Sequence, residues 1–135
     1  MKEKYLLALM DMACRFGETS EATRLKVGCI IYKNDAIISL GVNGQPPGWP
    51  TECCEKDGKT LETVRHAEDS ALQKLWNSAE TAKGAVMFVS HKPCIHCSIK
   101  IATAGISKVY YRYDYRSDEG SDYLMRRSIP IVKIN

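Results

Sequence analysis

Two thiols and one imidazole, separated by enough chain to hold a helix and a strand, constrain this sequence more than anything else in it. Pro93-Cys94-Ile95-His96-Cys97 sets two cysteines three residues apart, and His66-Ala67-Glu68 lies upstream. On a helix that spacing turns both sulfurs to one side, and in its first turn the outward N–H groups favour thiolates, the form a metal needs. One imidazole and two thiols give a tetrahedral zinc three protein ligands and leave the fourth position to water. A carboxylate two residues from the histidine can move that water's protons. This is the outline of a hydrolytic centre. Taken alone, Cys-x-x-Cys fits a structural zinc knuckle or a redox dithiol at least as well, and a lone histidine is more often a packed or surface residue than a ligand. The hydrolytic reading therefore requires a fold that brings residue 66 to residues 94 and 97.

The periodicities predict such a fold. Tyr5, Leu6, Leu9, Met12, Ala13 and Phe16 recur at helical spacing, so a first helix is expected from Lys2 to Phe16, stopping near Gly17. Val27 to Tyr32 and Ala36 to Leu40 are β-rich runs split by Lys33-Asn34-Asp35 and should form a hairpin. From Gly41 to Gly58, Gly44, Pro46, Pro47, Gly48 and Pro50 are dense enough to predict a shaped loop without regular elements. A second helix is expected over Val64 to Asn77, with Val64, Ala67, Ala71, Leu72, Leu75 and Trp76 as its buried face. Ala85 to Val89 reads as a strand buried on both sides. Pro93 opens a third helix that ends at Gly105, Val109 to Tyr111 is a strand, Asp122 to Arg127 is helical, and Ile129 to Ile134 is a last strand. Strands alternating with helices after an opening hairpin predict a three-layer α/β/α sandwich around a mixed five-stranded sheet.

Composition excludes several classes. A chain of 135 residues fits one domain, residues 1–135, with a core that needs no disulfide staples. Asp11 interrupts the short apolar run near the start, and no run is long enough to span a bilayer, so a soluble, cytoplasmic protein is expected. The six cysteines then read as ligands or buried thiols. The net charge of +3, without a basic stripe, argues against a nucleic-acid partner and is compatible with a small anionic ligand.

His-x-Glu followed by Pro-Cys-x-x-Cys is the pattern of the zinc-dependent nucleobase deaminases. Three further segments strengthen the likeness: Val27-Gly28-Cys29-Ile30-Ile31, Gly41-Val42-Asn43-Gly44-Gln45-Pro46, and Thr63-Val64-Arg65-His66-Ala67-Glu68. In that order they resemble the deoxycytidylate (dCMP) deaminases of the cytidine deaminase superfamily, from about Lys4 to the C-terminus. Val42 replaces a common tyrosine and Ser70 a usual asparagine, both at packing positions.

The resemblance implies hydrolytic deamination of dCMP to dUMP, the precursor for thymidylate synthesis. It implies one catalytic Zn2+ per chain on His66, Cys94 and Cys97, and Glu68 as the proton shuttle. Asn43 would bind the deoxyribose hydroxyl, Val64 and the Ala67 backbone the base, with Ser90 near the pocket floor. Arg24, Tyr115 and Arg116 would hold the 5′-phosphate, for which arginine offers bidentate donors. Arg112 would serve that phosphate, or a regulatory or subunit contact instead. Family enzymes are commonly hexamers, activated by dCTP and inhibited by dTTP, so a homo-oligomer is expected. Some relatives carry a second, structural zinc, but the adjacent Cys53 and Cys54 offer no full ligand set for one. Deamination of dCTP, cytidine or another ring is the nearest rival reading. A noncatalytic zinc-binding module is the rival from another class.

Overall fold

The computed structural model describes residues 1–49, 53–115 and 117–135. The expected hairpin is present as β1 (Gly28–Lys33) and β2 (Ala36–Val42). Its tight turn places Asn34 and Asp35 at φ of 49° and 65°, the left-handed pair that matches strand twist. β1 also pairs antiparallel with β5 (Val86–His91), while β5, β6 (Lys108–Tyr113) and β7 (Ile131–Lys133) are mutually parallel. Parallel neighbours need a crossover, and helices supply both: α3 (Ile95–Thr103) between β5 and β6, α4 (Glu119–Arg126) between β6 and β7. The resulting five-stranded mixed sheet runs β2-β1-β5-β6-β7.

Alternation along the strands sorts the core into two layers. Ile30, Phe88 and Tyr110 face α1 (Glu3–Gly17), where Leu9, Met10 and Ala13 are buried. Cys29, Ile31, Met87, Val89 and Val109 face the opposite side, against α2 (Ala67–Lys74), α3 and α4. The architecture is therefore the three-layer α/β/α sandwich expected from the sequence.

Several boundaries differ for identifiable reasons. On α1 the buried stripe passes through Leu9, Met10 and Ala13, leaving Tyr5 and Met12 exposed. The second helix starts at Ala67 rather than Val64, because Arg65 makes an extended backbone bridge to Gly44, with N···O distances of 2.8 and 3.1 Å. It ends by tightening into a 3₁₀ turn at Leu75–Asn77, which turns Trp76 outward to 78% exposure instead of into the core. The segment expected to be a loop from Gly41 to Gly58 ends in a second hairpin, with β3 (Glu55–Lys56) inside it and β4 (Lys59–Thr60) just beyond. There the Asp57-Gly58 turn signal outweighs the density of breakers; residues 50–52 of that loop lie outside the described residues. Pro93 precedes the third helix rather than opening it, since Cys94 is the N-cap. No helix of the described residues is long and apolar enough to cross a membrane.

Gly41 fixes how closely α2 sits on the sheet. A Cβ there would lie 2.3 Å from the Ala67 carbonyl oxygen and 2.6 Å from the Ala71 nitrogen. Only a residue without a side chain lets β2 and the first turn of α2 meet at this distance.

Candidate metal centre and cavity

The sheet brings the ligand segments together at one end. His66 is the extended N-cap residue of α2, and Cys94 is the N-cap of α3, immediately beyond the carboxyl end of β5. The His66 Nδ1 lies 3.2 Å from Cys97 Sγ and 3.6 Å from Cys94 Sγ, and the three ligand atoms are all within 4.8 Å of one another. Zinc bonds of about 2.3 Å to sulfur and 2.0–2.1 Å to nitrogen, at tetrahedral angles, separate ligand atoms by roughly 3.5–3.8 Å. The trio thus fits a zinc ion without rearrangement of the backbone. Among the described residues it is the cluster of histidine, cysteine and acidic side chains with this property.

The electrostatics suit a cation. The Cys97 N–H points at Cys94 Sγ, at 3.5 Å. Hydrogen bonds from the Cys97 thiol and from His66, with the Cys97 N–H and the His66 charge, pull the Cys94 thiol down to about 3 against the cost of burial. Cys97 is pushed upward because it donates to Cys94 and is buried. His66 is raised, first through its bond to Cys94. Glu68 is buried in the first turn of α2, and burial raises its carboxyl to about 7. Ser70 donates its N–H to the His66 carbonyl at 2.9 Å, tying the ligand to the helix. On the other side Gly120 lets α4 close over the start of α3: a Cβ there would lie 2.4 Å from the Pro93 oxygen.

The centre opens into a cavity of about 510 Å³. Of the residues expected to bind substrate, Arg24, Asn43, Val64, Ala67 and Tyr115 line it together with His66, Glu68 and Cys94. Ser90 does not reach the wall. It is buried, accepts the Gly28 N–H at 3.0 Å and pairs with His91 Nδ1 at 2.8 Å. Arg116 lies outside the described residues. Arg112 turns away to the α1 side, where it donates to Asp11 at 2.6 Å.

Asn43 works on the backbone around it. Its Oδ1 accepts the Val27 N–H at 2.9 Å and its Nδ2 donates to the Leu25 carbonyl at 2.6 Å, so that among the described residues one amide N–H and one lone pair stay uncommitted. The segment that carries Arg24 is thereby pinned to the 41–44 loop. The Arg24 guanidinium donates to Thr60 Oγ1 at 3.3 Å, so the small hairpin β3–β4 braces it from the other side.

Sequence reasoning missed Glu55, Thr60, His91, Lys92 and Asp114, which also line the cavity. Lys92 was within reach of it: the residue sits two before Cys94 at the end of a central strand, where ligand sites of α/β folds gather. It is 9% exposed and ion-paired with Asp118.

Comparison with known proteins agrees with this geometry. Residues 3–113 match the family described as the cytidine and deoxycytidylate deaminase zinc-binding region. The dCMP deaminase of cyanophage S-TIM5, solved in complex with dCMP and dUMP, superposes with a TM-score of 0.96 at 42% identity, covering 99% of each chain. The deoxycytidylate deaminases of Saccharomyces cerevisiae and Schizosaccharomyces pombe are each 30% identical over 88% and 87% of this chain. The chain spans only 41% and 39% of the length of those two yeast relatives. The His66, Cys94 and Cys97 cluster falls inside the matched zinc-binding region. The chain belongs to the cytidine and deoxycytidylate deaminase family.

Proposed function

We propose that this protein hydrolyses dCMP to dUMP and ammonia, supplying dUMP for thymidylate synthesis. The observation that carries the reading is a buried Glu68 beside a three-ligand zinc site, both opening on one cavity that also holds Arg24. Zinc held by His66, Cys94 and Cys97 would supply acidity to water at neutral pH and a positive charge to stabilise the developing anion. The reaction replaces the exocyclic amine by oxygen, so water loses two protons while N3 and then the leaving nitrogen are protonated. The Glu68 carboxylate is the group placed to carry those protons, taking them from water and delivering them to ring N3 and the amine. Its burial keeps bulk water from competing for that task.

Substrate recognition is assigned to the surrounding wall. Arg24 offers a guanidinium fork to the 5′-phosphate, with Tyr115 and Arg116 on the same segment after β6. The uncommitted amide N–H of Asn43 meets the deoxyribose hydroxyl, and Val64 with the Ala67 backbone flanks the base. Ser90, held behind the wall by Gly28, supports the floor through His91. The likeness to the cyanophage enzyme solved with dCMP and dUMP supports this substrate. On the same reading residues 1–135 act as one cytoplasmic catalytic domain in a homo-oligomer, a hexamer, with dCTP as activator and dTTP as inhibitor.

Incubation of the zinc-loaded protein with dCMP should lower the cytosine absorbance and yield dUMP, with deoxycytidine a far poorer substrate. Equal kcat/KM for the two would remove the phosphate contacts. No turnover of either, with or without dCTP, would favour a noncatalytic zinc module.

A further inference from the structure

The wall of this anion-binding cavity carries a carboxylate held in place by three donors. Glu55 Oε1 accepts the N–H groups of Thr23 at 2.9 Å and Arg24 at 3.4 Å, and Oε2 accepts the Thr23 hydroxyl at 2.9 Å. Glu55 sits on β3, whose hairpin is closed below it by the Leu61 N–H donating to the Cys54 carbonyl at 2.8 Å. Desolvation is the largest single influence and opposes ionisation, but the Thr23 and Arg24 donors together outweigh it and hold the carboxyl below its ordinary range. The carboxylate is thus ionised, oriented, and adjacent to Arg24, the cation assigned to the phosphate.

The other charges on the wall are balanced in the same way. Lys92 is paired with Asp118, and Asp114 accepts from Lys133 at 2.7 Å. Among the described lining residues outside the zinc centre, Arg24 and Lys92 therefore face Glu55 and Asp114. Such a wall offers one phosphate the Arg24 guanidinium, with the Arg116 guanidinium assigned to the same phosphate, but each further phosphate brings more negative charge against fixed carboxylates. Coulomb repulsion between like charges that share a half-enclosed site is incompletely screened.

We infer that Glu55 is a specificity-determining residue, a fixed negative charge that restricts the site to nucleoside monophosphates. The inference rests on the proposed deamination of dCMP and names what selects that substrate over its di- and triphosphate. Anchoring the Thr23–Arg24 segment is the purely structural alternative, and it would affect ligands regardless of their phosphate number.

The test is calorimetric binding of dUMP, dUDP and deoxyuridine to the zinc-loaded protein. The wild type should prefer dUMP over dUDP. In Glu55→Gln that preference should fall by about tenfold, mainly through tighter dUDP binding, with deoxyuridine unchanged. Glu55→Asp, which keeps the charge, should retain the wild-type preference even if its shorter side chain weakens the anchor. An unchanged dUMP-to-dUDP ratio in Glu55→Gln, or a parallel loss of affinity for all three ligands, would overturn the inference. Because binding is read without turnover, absence of dCMP deamination would remove the proposed function separately.

Discussion

Replacing Gly41 by alanine should disable the site from a distance. The added Cβ would stand 2.3 Å from the Ala67 oxygen, 2.6 Å from the Ala71 nitrogen and 3.0 Å from the Ala71 Cβ, all on α2. Carbon contacts settle near 3.5 Å, so the helix would have to retreat by about 1 Å. Overpacking of this kind costs about 2 kcal/mol, which for a chain of 135 residues is roughly 7 °C in Tm. The functional cost follows from what the helix carries: His66 caps it and Glu68 lies in its first turn, whereas Cys94 and Cys97 belong to α3. A retreat of about 1 Å exceeds the tolerance of about 0.2 Å for metal ligands and costs roughly a hundredfold in rate for a misplaced catalytic group. Scanning calorimetry, zinc content and dCMP turnover on Gly41→Ala would read all three effects. A variant with wild-type Tm, one zinc per chain and full turnover would refute the claim that this contact sets the position of α2.

Ser90→Ala removes the acceptor for the buried Gly28 N–H, so it should destabilise the protein by about 1–3 kcal/mol in urea unfolding while leaving kcat/KM for dCMP within about twofold. A large loss of kcat/KM at unchanged stability would instead put the Ser90 hydroxyl on the substrate. Zinc removal should abolish turnover, and zinc affinity should fall as pH falls, because the metal must displace the proton held on the Cys97 thiol and the one held on His66. Titration with a competing chelator between about pH 8 and pH 6 checks the sign; affinity independent of pH would contradict thiolate ligation.

The parts of the molecule legible in the sequence are those in which local pattern and tertiary packing ask for the same thing. The hairpin at Asn34-Asp35, the buried strand before Pro93 and the Cys-x-x-Cys helix start all satisfy that condition. Trp76 does not: its helical phase belongs to the buried face, but a change from α to 3₁₀ geometry at Leu75 rotates it to the surface. Val64 likewise fits a helix by period, and a single bridge between Gly44 and Arg65 keeps that segment extended. This miss matters for the site, because it makes His66 a cap residue whose imidazole is free to lean toward α3. The zinc ligands were recognisable because metal chemistry restricts both residue type and spacing. Glu55 and Lys92 were not, since a lone charged residue has no spacing signature and becomes part of a site only when a hairpin or a strand end delivers it to the cavity.

One paired measurement decides whether a zinc site with Glu68 as proton carrier deaminates dCMP. Wild type and Glu68→Gln would be assayed for zinc by mass spectrometry and for dUMP and ammonia released from dCMP. One zinc per chain is expected in both proteins, with equimolar dUMP and ammonia from the wild type and turnover lower by at least about a thousandfold in Glu68→Gln. Substantial dUMP production by a zinc-loaded Glu68→Gln protein would contradict Glu68 as the proton carrier.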